Sequence, residues 1–226
     1  VKTVDIGSAS AEEARDFEFH CLGEARLLSV LKHPCIVTYY GHQIWSEWSG
    51  KGDENSGIRT LRSAILMEDI KGGSRYLEKL RADGKKNHAP PDLALFIARD
   101  VASALTELHS RRVIHRDVKS DNVLIDLEAK GRDGTPTVKL CDLDRAVPLH
   151  SHLHSCCIAH VGVHPPDFCV GTPRWMAPEV FRAMRKRSHY GLEVDIWSFG
   201  CFLLELLTLR APYHGFLDAE FHEFLE

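Results

Sequence analysis

A predicted strand pair in the middle of the chain brings two oxygen-bearing side chains together. The apolar stretches Val123 to Ile125 and Val138 to Cys141 are typical of short strands, and the Gly-, Asp- and Pro-rich segment Gly131 to Pro136 is typical of the turn between them. When the second strand folds back along the first, Asn122 before the pair and Asp142 after it lie at the same end. Two oxygen ligands at one end suit a hard cation such as Mg²⁺. The sequence therefore predicts a magnesium site at that end of the hairpin.

A dense group of charged and polar residues lies just before this hairpin. His115, Arg116 and Asp117 are consecutive, Lys119 follows Asp117 by two residues, and Asn122 follows it by five. This order and spacing resemble the catalytic loop of protein kinases, where an Asp orients the attacking hydroxyl and an Asn holds a magnesium ion. The resemblance implies that Asp117 and Lys119 are catalytic, because in the Ser/Thr form of the loop the lysine neutralises charge on the transferred phosphoryl group. His115 is expected to brace the loop.

Further motifs of the family follow in the expected order. The triplet Asp142 to Asp144 occupies the place of the family's Asp-Phe-Gly, so the resemblance also makes its first residue a magnesium ligand. The stretch Gly171 to Glu179 resembles the end of a kinase activation segment, and Asp195 to Gly200 resembles the start of the buried central helix of the large lobe. The resemblance thus extends in order from Lys2 to about Tyr213.

One carboxylate lies on an apolar helical stripe. Glu24 falls between Cys21 and Leu28 on a stripe that runs from Phe17 to Leu31. A buried carboxylate requires a cation or several hydrogen-bond donors, because its burial alone is costly. The resemblance supplies a cation, since Lys2 occupies the place of the lysine that holds the α- and β-phosphates of ATP. Without the other motifs, Lys2 and Glu24 would fit an ordinary surface pair; with them, both are expected at the ATP site.

The resemblance implies an α+β chain with the two-lobed protein kinase-like fold. Residues 1–68 are expected to form an incomplete small lobe of strands around one helix, and residues 69–226 a mainly helical large lobe without its final helices. We expect the sequence to be a fragment truncated at both ends and inactive by itself. ATP is expected between the lobes, with Met67 in the gatekeeper place and backbone groups of Glu68 and Ile70 facing adenine.

The function implied is that of a protein serine/threonine kinase, with ATP and Mg²⁺ as cofactors and proteins as substrates. Within the Ser/Thr kinases, two features are similar to the tyrosine-kinase-like group, which includes plant receptor-like and leucine-rich-repeat kinases. These features are the Trp-Met-Ala-Pro-Glu form of Trp175 to Glu179 and the connector Gly72 to Ser74. We therefore predict a place in that group.

The hydrophobic pattern predicts the elements around these motifs. Predicted strands cover Val1 to Val4, Pro34 to Tyr40 and Ala64 to Met67, and the Ser-, Gly- and charge-rich stretch Trp45 to Gly57 is expected to be an exposed loop. A capping box at Ser10 to Glu13 predicts the start of a helix. Two further helices are predicted: an amphipathic one after Pro91, with Leu93, Phe96, Ile97, Val101, Leu105 and Leu108 on one face, and a buried core helix over Ile196 to Leu209.

Composition narrows the function classes. The 226 residues are 44% hydrophobic, enough for one large domain or two small lobes. The 28 Lys and Arg nearly balance the 32 Asp and Glu, for a net charge of -4, which gives no electrostatic case for binding nucleic acid or a membrane surface. The sequence shows no signal peptide and no apolar run long enough to span a membrane. Seven cysteines, an odd number, favour reduced thiols and a cytoplasmic location.

Two other functions remain open from the sequence. Asp144 stands where the family has a glycine, and we expect left-handed geometry there to cost on the order of 1 kcal/mol. The family's glycine-rich phosphate loop would precede Lys2, and the sequence begins at Val1, so the loop is either lost or cut off by truncation. Asp144, together with the missing loop if its loss is real, favours a pseudokinase that acts as a binding scaffold, although the retention of the other ATP-site residues argues against it. The His- and Cys-rich stretch from His150 to Cys169 carries side chains that suit zinc, so a metal-sensing module is the third hypothesis.

Overall fold

A computed structural model describes residues 1–7, 22–49, 58–84, 87–130, 134–149, 170–186 and 189–216. Its first part is an antiparallel sheet of three strands, β1 (Lys2–Gly7), β2 (Tyr39–Ser49) and β3 (Ile58–Met67), in the order β1-β3-β2. The register pairs Lys2 with Ile65. One helix, α1 (described over 22–30), accompanies the sheet, and its buried side chains share a hydrophobic core with Ile65.

The strand predictions need two corrections. The strand predicted from Pro34 begins at Tyr39, because Pro34 lies in a turn and Ile36 makes only an isolated bridge to Leu140. The loop predicted from Trp45 is wrong up to Ser49, since these residues continue β2 and pair with β3 as far as Ile58. Cross-strand pairing and the aromatic residues favour the strand there over the local Ser and charge content. Residues 50–57 and the predicted helix start at Ser10 lie outside the described residues, whereas the later part of that helix, with Glu24 and Leu28, is present as α1.

The second part of the chain is mainly helical. It contains α2 (Tyr76–Asp83), α3 (Pro91–Ser110), α4 (Pro178–Lys186) and α5 (Glu193–Thr208). The amphipathic helix predicted after Pro91 is confirmed as α3, whose buried residues include Ile97, Val101, Leu105 and Leu108. The mixed α+β architecture, with a sheet-rich lobe and a helical part, agrees with the predicted fold.

Two small antiparallel strand pairs lie among the helices. β4 (Val113–Ile114) pairs with β7 (Val147–Pro148), and β5 (Val123–Lys130) pairs with β6 (Pro136–Leu140). The second pair confirms the predicted hairpin, with Val123 opposite Leu140. Because Asn122 precedes β5 and Asp142 follows β6, the two residues lie at the same end of the pair.

The last described helix is buried on one face only. The predicted core helix is present as α5, where Phe202 and Leu206 are each 1% exposed. Ile196 and Leu207, in contrast, are 56% and 62% exposed, so the helix contributes one face to the core and leaves the other exposed. The apolar content of the stretch does not show which face packs against the core. In the described part of the chain, no helix is long and apolar enough to cross a membrane.

Candidate active site

Lys2 on β1 is the centre of a cluster of carboxylates. Its Nζ lies 2.9 Å from Glu24 Oε2 and 2.5 Å from Asp142 Oδ1. Glu24 is only 4% exposed, so the structure supplies the cation that a carboxylate on an apolar stripe requires. Burial opposes the charged form of Lys2, but Glu24 and Asp142 outweigh it and raise the pKa of the lysine. The ion pair therefore joins α1 to the segment after β6.

Asp144 adds a third carboxylate near the same lysine. Its Oδ2 lies 3.7 Å from Lys2 Nζ, and its Oδ1 is buried without a hydrogen-bond partner. Burial and the neighbouring Asp142 raise the pKa of Asp144. Burial also acts to raise the pKa of Asp142, but the charge and hydrogen bond of Lys2 outweigh this and lower it. The pKa values of the two carboxyls are thus shifted in opposite directions, and the negative charge is favoured on Asp142.

The backbone strain expected at Asp144 falls on a neighbouring residue. Asp142 has a φ of 64°, whereas Asp144 is not among the described residues with positive φ. The prediction that Asp144, in place of the family's glycine, costs free energy by adopting a left-handed backbone is therefore wrong for this structure. Any functional effect of Asp144 must therefore come from its carboxylate. The left-handed residue is Asp142, and Asp tolerates this backbone region better than most residues.

Asp117 is held by four side chains in the loop that follows β4. It is 3% exposed, and its Oδ2 lies 3.2 Å from Lys119 Nζ and accepts a hydrogen bond from Asn122 Nδ2 at 3.2 Å. Thr172 Oγ1 donates to Asp117 Oδ1 at 2.5 Å and accepts from Lys119 Nζ at 2.6 Å. The guanidinium of Arg145 lies 3.9 Å from Oδ2. Charge-assisted hydrogen bonds on both oxygens fix the orientation of this carboxylate.

A buried aspartate on α5 holds the backbone of the same loop. Asp195 is 0% exposed and accepts hydrogen bonds from the N–H groups of His115 and Arg116, both at 2.8 Å. His109 Nε2 lies 2.9 Å from its Oδ2. His115 in turn contacts the carbonyl of Cys141 through Nε2 at 3.0 Å, which agrees with the bracing expected of it. The loop containing Asp117 and the segment containing Asp142 are therefore joined.

The sequence motifs predict no role for the side chains of Asp195 and Glu205, and they do not place Thr172 in contact with Asp117. Glu205 is 1% exposed and binds Ser120 Oγ at 2.9 Å and Trp175 Nε1 at 2.7 Å. Asp195 and Glu205 carry the same signal as Glu24, a carboxylate on an apolar helix, and this signal would have identified both. Thr172 gives no such signal, because its contacts depend on how residues 55 positions apart are brought together.

Asn122 and Asp142 have the chemistry of a magnesium site. Asn122 Nδ2 donates to the carbonyl of Asp117 at 2.8 Å, which leaves the amide oxygen as an available ligand. The backbone N–H of Cys141 donates to the Asn122 carbonyl at 3.0 Å, so the segments that carry Asn122 and Asp142 lie side by side. These oxygen donors fit Mg²⁺. Among the described residues no group of three His, Cys, Asp or Glu forms a further metal site, and the His- and Cys-rich stretch lies outside them.

The segment after β3 contains the backbone groups of Glu68 and Ile70 that are expected to face adenine. Glu68 donates its N–H to the carbonyl of Thr38 at 2.9 Å, and the carbonyl of Ile70 accepts from Gly73 N–H at 2.8 Å. The described backbone hydrogen bonds thus leave the Glu68 carbonyl and the Ile70 N–H available to a ligand. Met67 ends β3 immediately before them.

Comparison with known proteins agrees with the sequence motifs on the family, over nearly the whole chain. Residues 1–224 match the family described as "Protein kinase domain". The chain is 32% identical over 190 residues to mitogen-activated protein kinase kinase kinase 3 of Mus musculus, covering 84% of the chain and 25% of that protein. It is 30% identical over 215 residues to serine/threonine-protein kinase Nek4 of Mus musculus, covering 95% of the chain and 22% of that protein.

A plant relative has a similar sequence identity to the chain and a similar coverage. Mitogen-activated protein kinase kinase kinase 1 of Arabidopsis thaliana is 34% identical over 215 residues, which cover 94% of the chain and 28% of that protein. The chain thus spans about a quarter of the length of these curated relatives. The family match, these relatives and the clusters around Lys2 and Asp117 agree, and the chain belongs to the protein kinase domain family, with serine/threonine kinases among its relatives.

Proposed function

We propose that the protein containing this chain transfers the γ-phosphoryl group of ATP to serine and threonine hydroxyls of other proteins. The observation that carries the proposal is the contact set of Asp117, which is oriented by Lys119, Asn122 and Thr172 beside the Lys2 cluster. Family membership and the serine/threonine kinase relatives support it. The domain division at residues 68 and 69 remains a prediction.

Each site residue has a proposed role. Asp117 accepts a hydrogen bond from the substrate hydroxyl and orients it towards the γ-phosphorus, and the proton can pass to this carboxylate as the new bond forms. Lys119 offsets negative charge on the transferred group. Lys2 binds the α- and β-phosphate oxygens and is itself held by Glu24. Glu68 and Ile70 bind adenine through the backbone groups that remain available.

Asn122 and Asp142 are the proposed ligands of Mg²⁺. The ion, when bound, neutralises charge on the phosphate oxygens. In the structure Asp142 Oδ1 is engaged by Lys2, so Lys2 and the ion would share this carboxylate. A lowered pKa keeps Asp142 ionised, as a cation ligand must be.

The acceptor residue is tested with peptides that differ at one position. The purified natural protein, with MgATP, should phosphorylate a generic peptide that carries Ser or Thr and leave the Tyr version unmodified, as read by mass spectrometry. The reason is Lys119, which lies two residues after Asp117 as in the Ser/Thr form of the catalytic loop and contacts both Asp117 and Thr172. Phosphate on the Tyr peptide alone would contradict the proposal.

A pseudokinase that binds nucleotide or partners without efficient catalysis is the second candidate, and Asp144 favours it. The third carboxylate leaves three acidic groups around one lysine, and close carboxylates repel each other unless a cation is present. Nucleotide binding to the wild-type protein with no phosphate transfer to any of the three peptides would support this alternative.

The variant Asp144→Gly tests what the extra carboxylate does. We expect the change to alter the Mg²⁺ concentration needed for half-maximal activity and to shift the rate within about tenfold, equivalent to ~1.4 kcal/mol. The physical reason is the loss of one negative charge beside Asp142. Titration of Mn²⁺ by electron paramagnetic resonance would measure metal affinity independently of turnover.

The control for this variant is Asp144→Asn, which removes the charge but keeps a side chain of the same size. If both variants shift metal affinity alike, charge is the cause. A rise from no activity to strong activity in Asp144→Gly would instead show that the natural protein is a pseudokinase.

Three finer assignments remain proposals. Placement in the tyrosine-kinase-like group rests on the form of Trp175 to Glu179, and the named relatives carry other descriptions. A cytosol-facing location is supported by Cys35, Cys141 and Cys201, which are free thiols. The near-balanced charge supports a protein that does not bind nucleic acid.

A further inference from the structure

One carboxylate oxygen, on the residue that follows β3, is contacted by three hydrogen-bond donors. Oε1 of Glu68 lies 2.7 Å from Lys139 Nζ and accepts hydrogen bonds from the N–H of Thr38 at 2.6 Å and from its Oγ1 at 2.8 Å. The side chains of Glu68 and Lys139 are 19% and 11% exposed. The Glu68–Lys139–Thr38 cluster is thus well shielded from water at its cationic end.

The three residues of this cluster come from three separate parts of the fold. Thr38 precedes β2, Glu68 follows β3, and Lys139 belongs to β6 of the helical part. Backbone hydrogen bonds support the same junction, since Val37 donates to the carbonyl of Leu140 at 3.0 Å and Leu140 donates to that of Cys35 at 2.8 Å. The cluster therefore ties the sheet-rich lobe to the strand that leads into Asp142.

The cluster is more than an ordinary surface ion pair. Burial acts to raise the pKa of Glu68, but the hydrogen bonds from Lys139 and Thr38 outweigh it and lower the pKa. Three donors on one oxygen leave the side chain little freedom to rotate. Because the Glu68 N–H is also bound to the Thr38 carbonyl, both the backbone and the side chain of Glu68 are fixed on the same neighbour.

We propose that Lys139 and Thr38 are positioning residues for nucleotide binding, which act by holding Glu68 so that its carbonyl and the Ile70 N–H stay directed at adenine. The inference rests on the proposed function, in which these two backbone groups bind the nucleotide base. Preorganised hydrogen-bonding groups bind more tightly because less freedom is lost on binding. Lys139 lies on β6, three residues before Asp142, which follows that strand, so the cluster fixes the adenine-binding segment relative to the metal ligand.

The test compares Lys139→Met with the wild-type full-length protein. Met keeps the length of the side chain and removes its charge. We expect the Kd for MgATP, measured by calorimetry, and the KM for ATP to rise together by roughly three- to tenfold, with little change in kcat, because a charge-assisted hydrogen bond is lost at some distance from the reacting atoms. The peptide KM should not change.

Two further variants and a control sharpen the result. Glu68→Gln should weaken nucleotide binding in the same direction, and the double variant Glu68→Gln, Lys139→Met should be no weaker than the worse single variant, because both remove one interaction. Lys79→Met is the matched control, since Lys79 is exposed on α2 and has no described ion pair or side-chain hydrogen bond. Melting temperatures confirm that each variant folds.

The outcomes separate this inference from the proposed function. Unchanged nucleotide affinity in Lys139→Met, with normal binding by the wild type, overturns the inference alone. A lower melting temperature or kcat with unchanged affinity assigns the cluster a structural role only and also overturns it, as would tighter binding. Failure of the wild-type protein to bind any nucleotide would instead contradict the proposed function.

Discussion

Replacement of Asp117 by Asn should lower the rate of phosphate transfer by at least ~10²-fold, the usual scale for loss of a positioned acid or base group. Asn has the same shape, and its amide oxygen can still accept the hydrogen bond from Thr172, whereas its NH₂ group replaces the oxygen that accepted from Asn122 and faced Lys119. It cannot take the proton from the substrate hydroxyl, and it loses the charge that Lys119 neutralises. Steady-state kinetics on the full-length protein would measure the loss in kcat.

Nucleotide affinity separates this effect from a general disruption of the site. The Kd for MgATP should be nearly unchanged in Asp117→Asn, because the groups proposed to hold the phosphates and the base lie on β1, on α1 and after β3, and the proposed metal ligands Asn122 and Asp142 keep their side chains. Asp92→Asn is a suitable control, since Asp92 is exposed in the first turn of α3. An Asp117→Asn protein with the wild-type rate would show that the assignment of Asp117 is wrong.

Asp195→Ala should cause the largest loss of stability among the site variants. The carboxylate of Asp195 accepts hydrogen bonds from the buried N–H groups of His115 and Arg116 and contacts His109. Each buried donor left without a partner costs roughly 1–3 kcal/mol, so we expect a loss of about 3 kcal/mol or more in the free energy of unfolding. For a chain of this size that corresponds to a fall in melting temperature of about 6–12 °C, which scanning calorimetry would detect.

The loop containing Asp117 should also lose its position in this variant, so activity should fall even at temperatures where the protein is folded. Asp195→Asn keeps one acceptor oxygen and should be affected less than Asp195→Ala. If the melting temperature of Asp195→Ala stayed within about 2 °C of wild type, the loss in the free energy of unfolding would be less than about 1 kcal/mol. Such a result would be inconsistent with the anchoring role of Asp195.

Motif spacing predicted the site more completely than hydrophobic pattern predicted the fold. The positions of Asp117, Asn122 and Asp142 follow from one loop and one hairpin, which are local in sequence and therefore visible in it. Glu24 was recognised as unusual because a buried carboxylate requires a cation, and the resemblance to protein kinases implied that Lys2 is this cation. Short-range patterns and the family resemblance thus carried the information.

Where the prediction was wrong, the structure depends on contacts between distant residues. Trp45 to Ser49 looked like a loop by composition but pairs with β3, a partner that the local sequence does not reveal. The left-handed backbone expected at Asp144 occurs at Asp142, two residues earlier. The Glu68–Lys139–Thr38 cluster joins three segments far apart in the chain and could not have been found by pattern.

The most direct test of kinase function measures nucleotide binding and phosphate transfer in the same preparation of full-length protein. With γ-labelled ATP, Mg²⁺ and a generic protein substrate, acid hydrolysis followed by phosphoamino-acid separation should show label on serine or threonine, and Asp117→Asn should remove nearly all of it while still binding ATP. Nucleotide binding by the wild-type protein with no label on any hydroxyl amino acid would contradict the assignment of a serine/threonine kinase.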